Sequence, residues 1–153
     1  MLKIKVDIKD LDKRGDQFCQ ALYNKIQAEL MYEGEDLVSH ARNLPPFESY
    51  NDQTGNLRSS IGYATYANGT QTNKSTFPML MDGKDGKQAG EQCIESNKGG
   101  VTRCTHGLVV VAGMEYAPYV EKCENKNVLA KTELKATQDM VTILENIKKT
   151  FKI

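Results

Sequence analysis

Val109-Val110-Val111-Ala112-Gly113-Met114-Glu115-Tyr116-Ala117-Pro118-Tyr119-Val120-Glu121 is the stretch on which the fold turns. With Leu108 it opens as a short, nearly continuous apolar run, the pattern of a buried central strand. Gly113 breaks that run. Pro118 has no amide hydrogen to give a ladder, so the second half is an edge, a turn or one helical turn. An earlier stretch, Thr54 to Tyr66, supplies a partner. There Leu57, Ser59, Ile61, Tyr63 and Thr65 alternate with Arg58, Ser60, Gly62, Ala64 and Tyr66, which predicts a strand from Leu57 onward. Asn68-Gly69 marks the turn at its end. The two strands belong to one small antiparallel sheet.

Outward from this pair the period changes. Phe18, Leu22, Ile26, Leu30, Leu37 and Ala41 recur at helical spacing between Asp16 and Asn43, with Lys25, Glu29, Glu33 and Arg42 on the wet side. Asp10 or Asp16 is the candidate cap, and Gly34 a candidate bend. Pro45-Pro46 stops the helix, because Leu44 is pushed out of the helical region by the following proline. At the other end Leu129, Ala136, Met140, Leu144, Ile147 and Phe151 define a second helix, with Asn127 as its candidate cap. Lys148, Lys149 and Lys152 suit the negative end of its dipole. Leu2-Lys3-Ile4-Lys5-Val6-Asp7-Ile8 alternates apolar and polar, as an edge strand with one buried face does. The expected fold is therefore a single α+β domain over residues 1–153. In it a small antiparallel sheet packs against a long N-terminal helix and a C-terminal helix.

Residues 68–105 interrupt the pattern with Asp82-Gly83, Asp85-Gly86, Gly99-Gly100 and a single apolar cluster, Phe77-Pro78-Met79-Leu80-Met81. Loops this long are functional or disordered far more often than structural. The expectation is a long flexible or docking loop or hairpin, peripheral enough that a domain lacking residues 70–104 stays folded.

Composition narrows the function. Lysine and arginine balance aspartate and glutamate, 20 against 20, and no basic stripe marks a nucleic-acid face. No apolar run is long enough to span a membrane, and residues 1–5 lack the apolar core of a signal peptide. The expected site of synthesis is the cytoplasm, and Asn68-Gly69-Thr70 and Asn73-Lys74-Ser75 are chance matches to the glycosylation pattern. Cys19, Cys93, Cys104 and Cys123 read as free thiols in a reducing compartment. The sharper alternative, zinc held by Cys93, Cys104, His106 and Cys123, lacks the two short-spaced ligand pairs of zinc motifs. His40 and His106 lie on different elements with no nucleophile beside them. Glu115 and Glu121 suit salt bridges or an interface better than acid–base work. Gly83, Gly86 and Gly90 fit no phosphate cradle. No catalytic set is expected, and no cofactor or metal.

Two motifs resemble a known family. Thr54-Gly55-Asn56-Leu57-Arg58-Ser59-Ser60-Ile61 is similar to the TG-x-LR-x-SI motif of the bacteriophage tail-completion, or head–tail connector (neck), family. Tyr116-Ala117-Pro118-Tyr119-Val120-Glu121 resembles that family's YA-x-YVE segment. The order of helix, first motif, strands, second motif and helix also agrees, outside residues 68–105. Lys122, Cys123 and Glu124 depart from the aromatic, glycine and threonine that usually follow. The resemblance implies a non-enzymatic virion protein of a tailed phage or prophage, assembled in the host bacterial cytoplasm. It implies a ring of sibling copies between head-completion or portal-side proteins and tail-tube or terminator proteins, with no membrane and no specific nucleic acid. Leu57, Ile61, Val110 and Val120 are then the motif core, and Arg58, Tyr116, Tyr119 and Glu121 the candidate subunit contacts, since Tyr and Arg are enriched at interfaces. Core packing with the hydroxyl at the rim is the equal alternative for the tyrosines. A small zinc- or nucleic-acid-binding module, or another non-enzymatic assembly protein, is the alternative function.

Overall fold

Every residue of Ile61–Ala67 is buried, and the rest of the chain is arranged to bury it. The computed structural model describes residues 9–97, 105–122 and 126–152. Along them run α1 (Lys9–Asn43), α2 (Asn56–Ser59), β1 (Ile61–Ala67), β2 (Thr70–Lys74), α3 (Lys84–Ser96), β3 (His106–Ala112), α4 (Ala117–Lys122) and α5 (Ala130–Phe151). The sheet is antiparallel in the order β2-β1-β3. β1 and β2 form a hairpin whose turn, Asn68-Gly69, has both φ angles positive at 49° and 77°. Asn and Gly tolerate that left-handed pair, and its twist matches the flanking strands. β3 pairs with β1 from Ile61↔Ala112 to Ala67↔His106, so the two stretches read as strands lie in one sheet. The expected strand at residues 2–8 lies outside the described residues.

β1 begins at Ile61, not at Leu57. Asp52 is the reason. Its carboxylate accepts the backbone N–H groups of Gly55 at 2.9 Å and Arg58 at 2.8 Å, satisfying amides that a first helical turn leaves unpaired. Ser60 closes the turn by donating its hydroxyl to the Leu57 carbonyl at 2.8 Å. The alternation of Leu57 and Ser59 is thus a helical turn in which both residues are buried.

α1 lies across one face of β1 and β3. Gly34 is the point of closest approach: a Cβ there would stand 2.4 Å from the Tyr63 ring. Its role is to admit that ring. Tyr63 is fully buried, and its hydroxyl donates to Glu35 Oε1 at 2.9 Å. Burial pushes the Tyr63 phenol well above its usual range, with the Glu35 carboxylate adding to the effect. α5 runs antiparallel to α1. Lys135 bridges Asp36 and Asp139, Lys131 meets Glu48 at 2.6 Å, and Phe18 meets Phe151 edge to face at 5.4 Å.

This packing corrects the reading of α1's faces. Glu33 is 7% exposed, while Phe18 is 41% exposed. Arg42 is half-buried because its guanidinium donates to the Ile61 carbonyl at 2.5 Å and to that of Thr76 at 3.3 Å. His40 is half-buried and reaches Thr132 Oγ1 at 3.3 Å across the helix pair.

The expectation for residues 68–105 is a long flexible or docking loop or hairpin; in their described part Asn68-Gly69 is the turn of the β1–β2 hairpin, and regular elements follow it. They hold β2, which pairs with β1 in the sheet, and α3, which packs on the sheet face opposite α1. Phe77 and Ile94 join Ala64, Tyr66 and Val111 in the core. α3 presents glycines inward: a Cβ on Gly86 would lie 1.9 Å from the Asn56 carbonyl oxygen, and one on Gly90 2.4 Å from the Phe77 ring. The Asn56 side chain accepts the Gly86 N–H at 3.0 Å, and the Ser59 hydroxyl accepts the Leu80 N–H at 2.9 Å. The described part of residues 70–104 therefore holds part of the core and is not peripheral to it.

Two outcomes follow from this packing. Gly→Ala inside a helix ordinarily gains about 1 kcal/mol, yet Gly34→Ala should destabilise the chain by about 2 kcal/mol, because the Tyr63 ring has no room to yield. Urea titration reads this as a lower midpoint at unchanged slope, and a gain in stability would disprove the contact. Glu33→Gln should raise the midpoint at pH 7. Burial raises the Glu33 carboxyl above its ordinary 4.5, the carboxylates of Asp139 and Asp36 add to this, and Lys135 only partly offsets it. A group whose folded value is raised gives most stability below its ordinary value and loses it as pH rises through the folded one. The variant and parent should therefore converge as pH falls to 4.5 and below.

Candidate assembly interface

The two motif stretches meet. Asp52 turns residues 55–58 so that Leu57 points inward, and α4 brings Ala117 against it. Tyr50, Leu57, Ala117 and Val128 form one buried cluster, flanked by Ala112, Met114, Val120 and Leu129. Tyr50 is at its centre and was not singled out by sequence, since a lone aromatic in a polar connector carries no periodic signal. Burial drives its phenol far above the usual range.

The four candidate contact residues divide in two. Arg58 is committed within the chain: its guanidinium donates to the Leu44 carbonyl at 3.2 Å and lies over the Tyr50 ring at 5.6 Å. Glu121 is committed as well. Its Oε1 accepts the backbone N–H groups of Leu129 at 3.0 Å and Ala130 at 2.5 Å, which makes it the cap of α5. Asn127, the expected cap, instead donates to the Glu48 carbonyl at 2.6 Å, and its own carbonyl accepts the Ser49 hydroxyl at 2.6 Å. Both tyrosines face outward. Tyr116 rims a hollow of about 490 Å³ with Tyr50, Asp52, Leu57 and Val120, and burial followed by the Asp52 charge raises its phenol. Tyr119 is 58% exposed. Of the motif core, Leu57 and Ile61 are buried, whereas Val110 and Val120 are half-buried.

Among the described residues β3 is the edge of the sheet, and Val110 there is half-buried. Two bonds set the phase of this strand: Gly113 N–H to the Ser60 carbonyl at 3.0 Å, and Asn68 N–H to the Thr105 carbonyl at 2.9 Å. Odd-numbered residues turn their backbone groups to β1, so those of Leu108, Val110 and Ala112 point away from it. Beside this edge, between α1, β3 and α5, lies a groove of about 650 Å³. Ile26, Leu30, Leu108, Val110, Met140 and Leu144 are among its apolar lining. His106 stands at one end, its Nδ1 accepting from Gln27 Nε2 at 2.7 Å and its ring against Tyr23. This geometry suits adhesion between surfaces. Among the described residues no three His, Cys, Asp or Glu side chains converge as metal ligands, and no helix is long and apolar enough to cross a membrane. Cys93 is half-buried; Cys104 and Cys123 lie outside the described residues.

Comparison with protein families, with curated proteins and with solved structures found no match.

Glu121→Ala removes a charged cap from α5 and should cost about 1–2 kcal/mol. Glu121→Gln, which can still accept one of the two amides, should recover part of this in the same urea titration. An unchanged midpoint for Glu121→Ala would return Glu121 to the surface role first expected of it.

Proposed function

We propose that this chain is a structural subunit of a tailed phage or prophage particle that completes the head–tail junction as one member of a ring. It carries out no reaction. Its partners are sibling copies, together with portal-side or head-completion proteins on one face and tail-tube or terminator proteins on the other. The carrying observation is that the two family-like motifs, far apart in sequence, pack as one cluster around Tyr50 and leave Tyr116 and Tyr119 outward on its rim. The Val-rich edge of β3, unpaired among the described residues, and its apolar groove add surface of the kind that repeated assembly uses.

The test is genetic. Genes for a portal, a major capsid protein and a tail tube should flank this one. Inactivating it in the particle-producing strain should leave DNA-filled heads and unattached tails by electron microscopy, with joined particles restored by the gene in trans. Complete particles without it would overturn the reading.

A further inference from the structure

The two edges of the sheet differ. β2 closes one side with Thr70-Gln71-Thr72-Asn73-Lys74, alternately exposed and half-buried, the polar composition that discourages further pairing. β3 ends the other side with Leu108-Val109-Val110-Val111-Ala112, and among the described residues nothing pairs with it. A strand added there would have one face over the groove lined by Leu108, Val110, Met140 and Leu144. It would need apolar residues at every second position. Leu2-Lys3-Ile4-Lys5-Val6-Asp7-Ile8 has them at Leu2, Ile4, Val6 and Ile8, with charge between.

Reach decides whose segment this is. α1 and β3 run in the same direction: His106 lies by Tyr23 and Gln27, and Ala112 pairs with Ile61, which Arg42 holds. At 1.5 Å per residue, Lys9 stands about 21 Å beyond Tyr23. Residues 2–8 extend to about 25 Å at most. Folded back along their own α1 they would touch only the first residues of β3, leaving about 20 Å of edge uncovered. Residues 10–21 of α1 are exposed throughout, so the first turns of the helix run out past the end of its own sheet.

We infer that residues 2–8 of one copy add as a strand to the β3 edge of the next, seating Leu2, Ile4, Val6 and Ile8 in its groove. The contact is heterologous: donor segment and acceptor edge are different surfaces, so repetition closes into a ring or runs on as a filament. Backbone hydrogen bonds to Leu108, Val110 and Ala112 supply the pairing, and the alternate side chains supply the register. This inference deepens the assembly reading by naming the contact between sibling copies.

Two full-length variants separate donor from acceptor. Ile4→Asp/Val6→Asp spoils the donor and leaves the groove intact. Leu144→Asp alters a groove residue that is 52% exposed, so the fold should tolerate it, and circular dichroism checks both. A synthetic peptide of residues 1–9 should bind the donor-defective chain saturably, protecting the amides of Leu108, Val110 and Ala112 from hydrogen exchange. It should bind the Leu144→Asp chain about tenfold more weakly or worse. Mixed one to one, the two variants should give a capped heterodimer by sedimentation, because only one contact remains. No binding at millimolar peptide, or binding without protection at β3, overturns the inference; the latter outcome would give the groove to a helix or another protein. Protection of β3 in the unaltered chain that does not change on dilution, and is lost in Ile4→Asp/Val6→Asp, would make the contact internal and also overturn it. Peptide binding by a chain dispensable for particles would keep this contact and remove the virion role.

Discussion

The Tyr63 ring over Gly34 is the contact on which the other contacts rest. A buried tyrosine brings more apolar area than any aliphatic residue in this sheet, but its hydroxyl needs a partner. Glu35 supplies one from the residue next to the glycine that admits the ring. The distance between α1 and β1 is thereby set at one point. Arg42 then ties the end of α1 to the Ile61 and Thr76 carbonyls, and Gln27 ties its middle to the Tyr66 carbonyl at 3.4 Å and to the Thr72 hydroxyl at 2.7 Å. Each of these bonds needs the helix to be as close as Gly34 allows.

A three-stranded sheet cannot bury both faces of its central strand with one helix. β1 is inaccessible on both faces, so a second layer is obligatory. α3 is that layer, and it gets close by having almost no side chains where it touches. Gly86 and Gly90 bring its backbone against Asn56, Ser60 and Phe77, and dispersion between closely packed backbones replaces the apolar stripe that a helix usually carries. The hydroxyls of Ser59 and Ser75 serve the same layer, Ser75 Oγ accepting the Tyr63 N–H at 3.0 Å.

That economy explains what sequence could and could not say. The Val-rich run, the Asn68-Gly69 turn, the stop at Pro45-Pro46 and most of the apolar register of α5 were legible, because each is a local rule with few competitors. α3 was not legible, since its inward face, Gly86, Gly90 and Ile94, carries one large apolar side chain among glycines that read as turn signals. Leu57 was placed in a strand because alternation over a few residues does not distinguish a strand from a capped turn. The deciding atom, the Asp52 carboxylate, lies upstream in a connector. Glu33 and Arg42 were assigned to water because their burial is imposed by neighbours distant in sequence. The motif stretches were legible as a pair, but Glu121 and Arg58 proved to hold the chain itself together. A cap supplied from another helix, or a cation seated on a distant tyrosine, leaves no spacing to read.

The committed residues bear on how the surface works. Arg58 and Glu121 tie α2, α4 and the start of α5 together around Tyr50, so the rim that carries Tyr116 and Tyr119 is braced from within the chain. Rigid aromatic side chains lose little conformational freedom on contact, which favours association between weakly attractive surfaces. The β3 edge lies on the same body, because Ala112 belongs both to the strand and to the flank of the Tyr50 cluster. A partner on the tyrosine rim and a strand on the β3 edge would therefore act on one stiff unit. Coupling between them would need no conformational change: holding one surface in place raises the effective concentration of the other. A small domain with two modest adhesive surfaces can in this way remain dispersed alone and assemble firmly only where both surfaces are met.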